Sequence, residues 1–234
     1  TWNGSAWSEV NDLNTAREAL NSKNAGTSTA GLVFGGTTDG TNGSAVVESW
    51  DGTNWTEVGD LNTARKGLGG CGVTYTAAIA FGGKPADPSF TAVTETWNGS
   101  SWTEVADLNT GRRGGGGAGT SAEACLCFGG GYGNPFSDRG ETESWNGSSW
   151  TEVNDLNNAR YGRASFGSYT SALYAGDSDN KVFVETWNGT SWTETTDHST
   201  TGKDGGSGVV NTSGLIFGGH PTGNTEVWNG SSWT

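Results

Sequence analysis

The chain has 234 residues, a net charge of −13 and a pI of about 4.4, with twelve Lys and Arg spread along its length. This balance argues against a nucleic-acid surface, which needs clustered cations, and against attraction to an anionic membrane. Apolar residues make up only 32%, but 41 glycines and 12 tryptophans point to a repetitive all-β fold rather than to disorder.

No stretch approaches the roughly 20 apolar residues of a membrane span. The N-terminus has no signal-like segment and no Met, so the chain reads as a processed product or a fragment. Cys71, Cys125 and Cys127 are too few and too unevenly placed for a disulfide framework. Cys125 and Cys127 alternate on an apolar run and read as small core fillers.

In chain order, the first element is a tryptophan hairpin, Trp2–Trp7. The same unit returns at Trp50–Trp55, Trp97–Trp102, Trp145–Trp150, Trp187–Trp192 and Trp228–Trp233, at intervals of 41–48 residues. Within each unit, Asn-Gly-type residues suit the positive φ of a tight turn, and the flanking tryptophans face each other across the strands. After the first hairpin comes the link NDLNTAR ending at Arg17, and then a small-residue strand. A short apolar strand follows and ends in a paired glycine, GLVFGG at Gly36. The third strand, AVVESW, ends at Trp50, and the fourth starts at Trp55. The pattern recurs with AIAFGG, CLCFGG, ALYAGD and GLIFGG, where Ala175-Gly176 stands in for the paired glycine of the fourth repeat. Basic residues Arg17, Arg65, Arg112, Arg160 and Lys203 open the first strand of each repeat.

A period of this length with four strands per repeat predicts a five-bladed, all-β propeller of four-stranded antiparallel blades, closed by strands from a terminus. The blade cores fall at about 15–58, 63–105, 110–153, 158–195 and 201–234 of a single domain. The count leaves one surplus hairpin, residues 1–10, which is expected to complete the last blade or to associate with a neighbouring molecule.

The order Arg, Gly-Gly, Glu-x-aromatic, Trp resembles the Kelch repeat, and Val47 to Arg65 (VESWDGTNWTEVGDLNTAR) is similar to the Kelch stretch that crosses between blades. The resemblance covers almost the whole chain and implies the same propeller. The WNGSSW turn also resembles repeats of phage and bacterial surface proteins.

The links are nearly identical, whereas the loops between the second and third strands all differ, as a constant frame carrying a binding face would. The best contact candidates on those loops are Lys84, Phe90, Tyr132, Phe136, Arg139 and His220. The arginine series near the centre either rings an anion site or pairs within each blade with Asp12, Asp60, Asp107, Asp155 or a blade glutamate. Repetition in every blade favours the structural role. The repeated tryptophans Trp50, Trp55, Trp97, Trp102, Trp145, Trp150, Trp187 and Trp192 are expected to hold the blade rims together.

Catalytic constellations are missing from the pattern. His198 and His220 lack ligand spacing, which weighs against the copper oxidases that use Kelch blades. Asp177, Asp179 and Asn180 form too incomplete a pattern for calcium. SWDGTNW is similar to the Asp box of sialidases but lacks its spacing. Eight Asn-x-Ser/Thr sequons occur, Asn3, Asn98, Asn146, Asn188 and Asn229 among them, and turn chemistry explains most of them without glycans.

The resulting expectation is a rigid, acidic, non-enzymatic module without a cofactor, from a phage particle or microbial surface, contacting a protein partner or a surface glycan. The alternative is a multivalent lectin using repeated residues such as Trp50, Asn98 and Glu143, and a hydrolase or oxidase ranks last.

Overall fold

The computed structural model describes residues 1–20, 26–86, 89–133, 135–162, 164–176, 181–201, 205–218 and 223–234, and every regular element among them is a strand. Blade one contains β1 (Gly26–Thr27), β2 (Ala30–Phe34), β3 (Val47–Trp50) and β4 (Trp55–Val58). Blade two contains β5 (Gly69–Thr74), β6 (Ala77–Phe81), β7 (Thr94–Trp97) and β8 (Trp102–Val105). Blade three contains β9 (Gly116–Ser121), β10 (Ala124–Phe128), β13 (Thr142–Trp145) and β14 (Trp150–Val153), with the hairpin β11 (Gly131–Tyr132) and β12 (Ser137–Asp138) inserted. Blade four contains β15 (Ala164–Ser168), β16 (Ser171–Ala175), β17 (Val184–Trp187) and β18 (Trp192–Glu194). Blade five contains β19 (Gly205–Val210), β20 (Ser213–Phe217) and β21 (Glu226–Trp228), and Trp233 bridges to Trp228 at the fourth position. Each blade is antiparallel in chain order, and β5, β9, β15 and β19 lie side by side as inner strands. The chain is therefore a five-bladed all-β propeller, as its repeats predict.

The outer edge of each blade follows from the Trp-x₄-Trp spacing. Trp97 pairs directly with Trp102, their ring centroids 5.5 Å apart. In the turn, Asn98 Oδ1 accepts from the backbone N–H of Ser100 and Ser101, and Gly99 has φ of +95°. The side chain thus satisfies the turn, which is the ordinary role of Asn-Gly.

Blades are joined by aromatic contacts that run in one direction round the ring. Phe34 of blade one meets the edge of Trp102 of blade two at 5.3 Å, and Phe81 meets Trp150 at 5.0 Å. Small inner residues make room for this. A Cβ on Gly70 would lie 2.6 Å from the Phe34 ring, so any larger residue there would push the blades apart.

A repeated polar clamp fixes each link to the blade it enters. Glu95 accepts from Asn62 N and Thr63 N at 2.7 and 3.2 Å and pairs with Arg65 at 2.8 Å. Glu48 with Arg17, Glu143 with Arg112 and Glu185 with Arg160 repeat the arrangement. Glu226 is held by Ser199 and Thr200. The link aspartates do something else: Asp107 accepts from Thr94 N and Asp155 from Thr142 N, both at 3.1 Å. Lys203, expected to open the fifth repeat, lies outside the described residues.

Two further expectations are corrected. In the fourth repeat Gly176 has φ of +77° and donates to Phe183 O, matching Gly35, which has φ of +67° and donates to Val46 O. Gly176 is therefore the first glycine of the pair, and Ala175 occupies the phenylalanine place. Cys125 is not a separate core filler but forms a disulfide with Cys71, their Cα atoms 6.3 Å apart. The ring brings them together, because β5 of blade two packs against blade three, whereas Cys127 is buried outside the bond.

Candidate functional site

The arginine series does not form an anion site. Arg65, Arg112 and Arg160 are buried, and each guanidinium faces the glutamate of its own blade. Arg65 also donates to the carbonyls of Gly82 and Val93, so its donors are used internally. Burial lowers its pKa, a shift that the charge of Glu95 opposes.

The residue immediately after each of these arginines points to different surroundings. Glu18, Lys66, Arg113 and Tyr161 hold this place in blades one to four. Backbone bridges join Glu18 to Thr37, Lys66 to Lys84 and Arg113 to Gly131, so these residues meet the start of the variable loops. Between successive blades, Gly67 N donates to Ala19 O at 2.8 Å and Gly114 N to Gly67 O at 2.7 Å, stitching the rim together just before the inner strands.

Over blades two to four this rim carries a cluster of cations and aromatic rings. Lys84 Nζ lies over the Phe90 ring at 5.3 Å, and Phe90 contacts Tyr132 at 5.3 Å. The Arg139 guanidinium lies 5.2 Å from the Tyr132 ring and pairs with Glu141 at 2.9 Å. Arg113 sits between Phe136 and Tyr161, at 5.1 and 5.7 Å, and those rings meet at 5.6 Å. Tyr132 and Phe136 are 41% and 43% exposed, so this hydrophobic area faces solvent despite its size.

Of the loop residues expected from sequence, Lys84, Phe90, Tyr132 and Arg139 come together in one chain of contacts, and Phe136 joins Arg113 beside it. His220 and the Asp177, Asp179 and Asn180 group lie outside the described residues. Lys66, Arg113 and Tyr161 are additions. Their signal is the unrepeated position directly after the repeated arginine, which reads as part of the motif until the neighbouring residue is seen to face another way.

The cluster gathers basic side chains on an acidic chain, with Arg139 paired to Glu141 within it. Burial, followed by the charges of Arg113 and Lys66, lowers the pKa of Lys84. Arg113 Nε and Arg139 Nε are buried without a hydrogen-bond partner among the described residues, as is Glu141 Oε2. An anionic group docked here would accept from the Arg113 and Arg139 guanidinium donors, while the rings offer apolar faces.

Among the described residues no group of three or more His, Cys, Asp or Glu is placed to hold a metal ion. No protein-family model matches the chain, and no curated protein is significantly similar to it.

Proposed function

We propose that the chain is a non-enzymatic binding module of Kelch type, carried by a phage particle or a microbial surface, and that it attaches to acidic glycans through the rim over blades two to four. The observation that carries the reading is the stacking of Lys84, Arg113 and Arg139 on Phe90, Tyr132, Phe136 and Tyr161. Exposed rings bind the apolar faces of sugars, and planar guanidinium groups select carboxylates. A disulfide between blades suits an oxidising, extracellular setting.

The repeated residues support one asymmetric site over one site per blade. Glu143 is ion-paired and buried, Asn98 serves its own turn, and Trp50 is buried. The test is a glycan array that includes sialylated and uronate-containing sugars, read for the unaltered protein, Arg113→Ala/Arg139→Ala and Tyr132→Ala/Phe136→Ala, each checked for folding. The proposal expects acidic glycans to bind and both variants to lose them. Binding only to neutral glycans, or unchanged binding by both variants, contradicts it.

A further inference from the structure

The N-terminal hairpin makes the contacts of a blade's outer strands. Trp7 packs on Phe217 at 5.1 Å, and its Nε1 donates to Thr225 Oγ1 at 3.0 Å. In the same manner Trp150 packs on Phe81 of the preceding blade at 5.0 Å and donates to Thr94 at 3.0 Å. Trp192 does so with Phe128 and Thr142, at 4.7 and 2.9 Å. Trp7 therefore stands where the outer tryptophan of a blade following blade five would stand.

Beyond Trp7 the chain enters blade one as the later links enter their blades. Asn11 donates to Thr53 O at 2.8 Å, as Asn154 donates to Thr190 O at 2.8 Å. Asn14 and Arg17 then clamp Glu48. Residues 1–10 lie between blade five and blade one as the outer half of a sixth place, and they do not add a strand to blade five, whose Val227 already pairs with Thr234.

Among the described residues, no strand fills the inner half of this place. In blades two to four the outer tryptophan is covered by a phenylalanine of the preceding blade, and Trp102, Trp150 and Trp192 are buried. Trp55 is only half-buried and has no such phenylalanine among the described residues. Beside it lies a cavity of about 380 Å³ lined by Trp50, Trp55, Leu32, Thr1 and Val10. Trp7 is 49% exposed. In the other blades, what fills this position is the inner strand pair.

We infer that the sixth place takes one more inner strand pair of the β5–β6 kind, so that it and residues 1–10 together make a sixth blade. Its first strand is rich in Gly and Ala to fit the crowded centre, and the phenylalanine ending its second strand enters the cavity against Trp55. A second copy of the chain is a poor occupant, because its inner pairs are already hydrogen-bonded within their own blades.

The test extends the chain after Thr234 with a copy of residues 57–83, which continues the repeat in register from Thr234, and compares it with the original by N-bromosuccinimide oxidation of tryptophan, limited proteolysis, thermal unfolding and solution mass. The extended chain is expected to stay monomeric, resist proteolysis within the added segment, unfold at higher temperature and lose the fast-reacting Trp7 and Trp55. Replacing the phenylalanine copied from Phe81 with alanine should restore the fast reaction of Trp55 alone. An extension that remains cleavable while Trp7 and Trp55 react as before would overturn the inference. Dimerisation of the original chain with protection of Trp55 would also overturn it, in favour of a second copy.

Discussion

Arg65 donates to Glu95 at 2.8 Å with both side chains shut off from solvent, so the link between blades one and two is fastened to the outer strands of blade two by a buried charge pair. Breaking such a pair from one side strands a charge in the interior and costs about 3–5 kcal/mol. Glu95→Gln and Arg65→Met are each expected to destabilise the protein by about that amount in urea unfolding. Since the two substitutions remove the same interaction, the double variant should lose much less than their sum. Single losses of only about 0–1 kcal/mol would show a solvated pair.

The tryptophans of adjacent blades make a finer prediction. Trp150 Nε1 donates to Thr94 and Trp192 Nε1 to Thr142, but Trp102 Nε1 is buried without a partner, because Val47 holds the threonine place in blade one. Val47→Thr should supply the missing acceptor and stabilise by about 0.5–1.5 kcal/mol, while Thr94→Val should destabilise by about 1–3 kcal/mol through the donor left unsatisfied. Denaturant midpoints that move in the same direction for both substitutions would contradict this pairing.

Ala19 has φ of +51°, where the corresponding Gly67 and Gly114 have +60° and +62°. A left-handed conformation costs a non-glycine residue about 1–2 kcal/mol. Ala19→Gly should therefore raise the thermal midpoint, although glycine substitution normally lowers it through the unfolded chain. A lowered midpoint would show that strain at Ala19 is negligible.

The disulfide joins two blades across 54 residues of sequence. Cys71→Ala/Cys125→Ala is expected to cost about 2–4 kcal/mol, and reductant should weaken the unaltered protein to a similar degree while leaving that variant unchanged. Equal denaturant midpoints for the unaltered protein with and without reductant would contradict a stabilising bond.

The blades were legible in the sequence because each repeats its tryptophan hairpin and glycine in register. The register failed locally in the fourth repeat, where Ala175 takes the phenylalanine place and an alanine beside a glycine looks like half of the glycine pair. The disulfide was not legible, since Cys71 and Cys125 belong to different repeats and meet only through ring packing. In the candidate site, the unrepeated loop residues Tyr132, Arg139, Phe90 and Lys84 stood out, while Arg113 and Tyr161 were hidden beside the repeated arginines. The arginines turn into their own blades to meet glutamates, and the next residue faces the rim, an alternation that one strand position decides.

The most direct measurement is the calorimetric stoichiometry of the strongest acidic glycan from the array, for the unaltered protein and for Arg113→Ala. A single asymmetric rim site predicts one ligand per chain, weakened binding at high salt, and loss of binding in Arg113→Ala. Several equivalents per chain with Arg113→Ala unchanged would contradict the account and place recognition on the repeated blade residues.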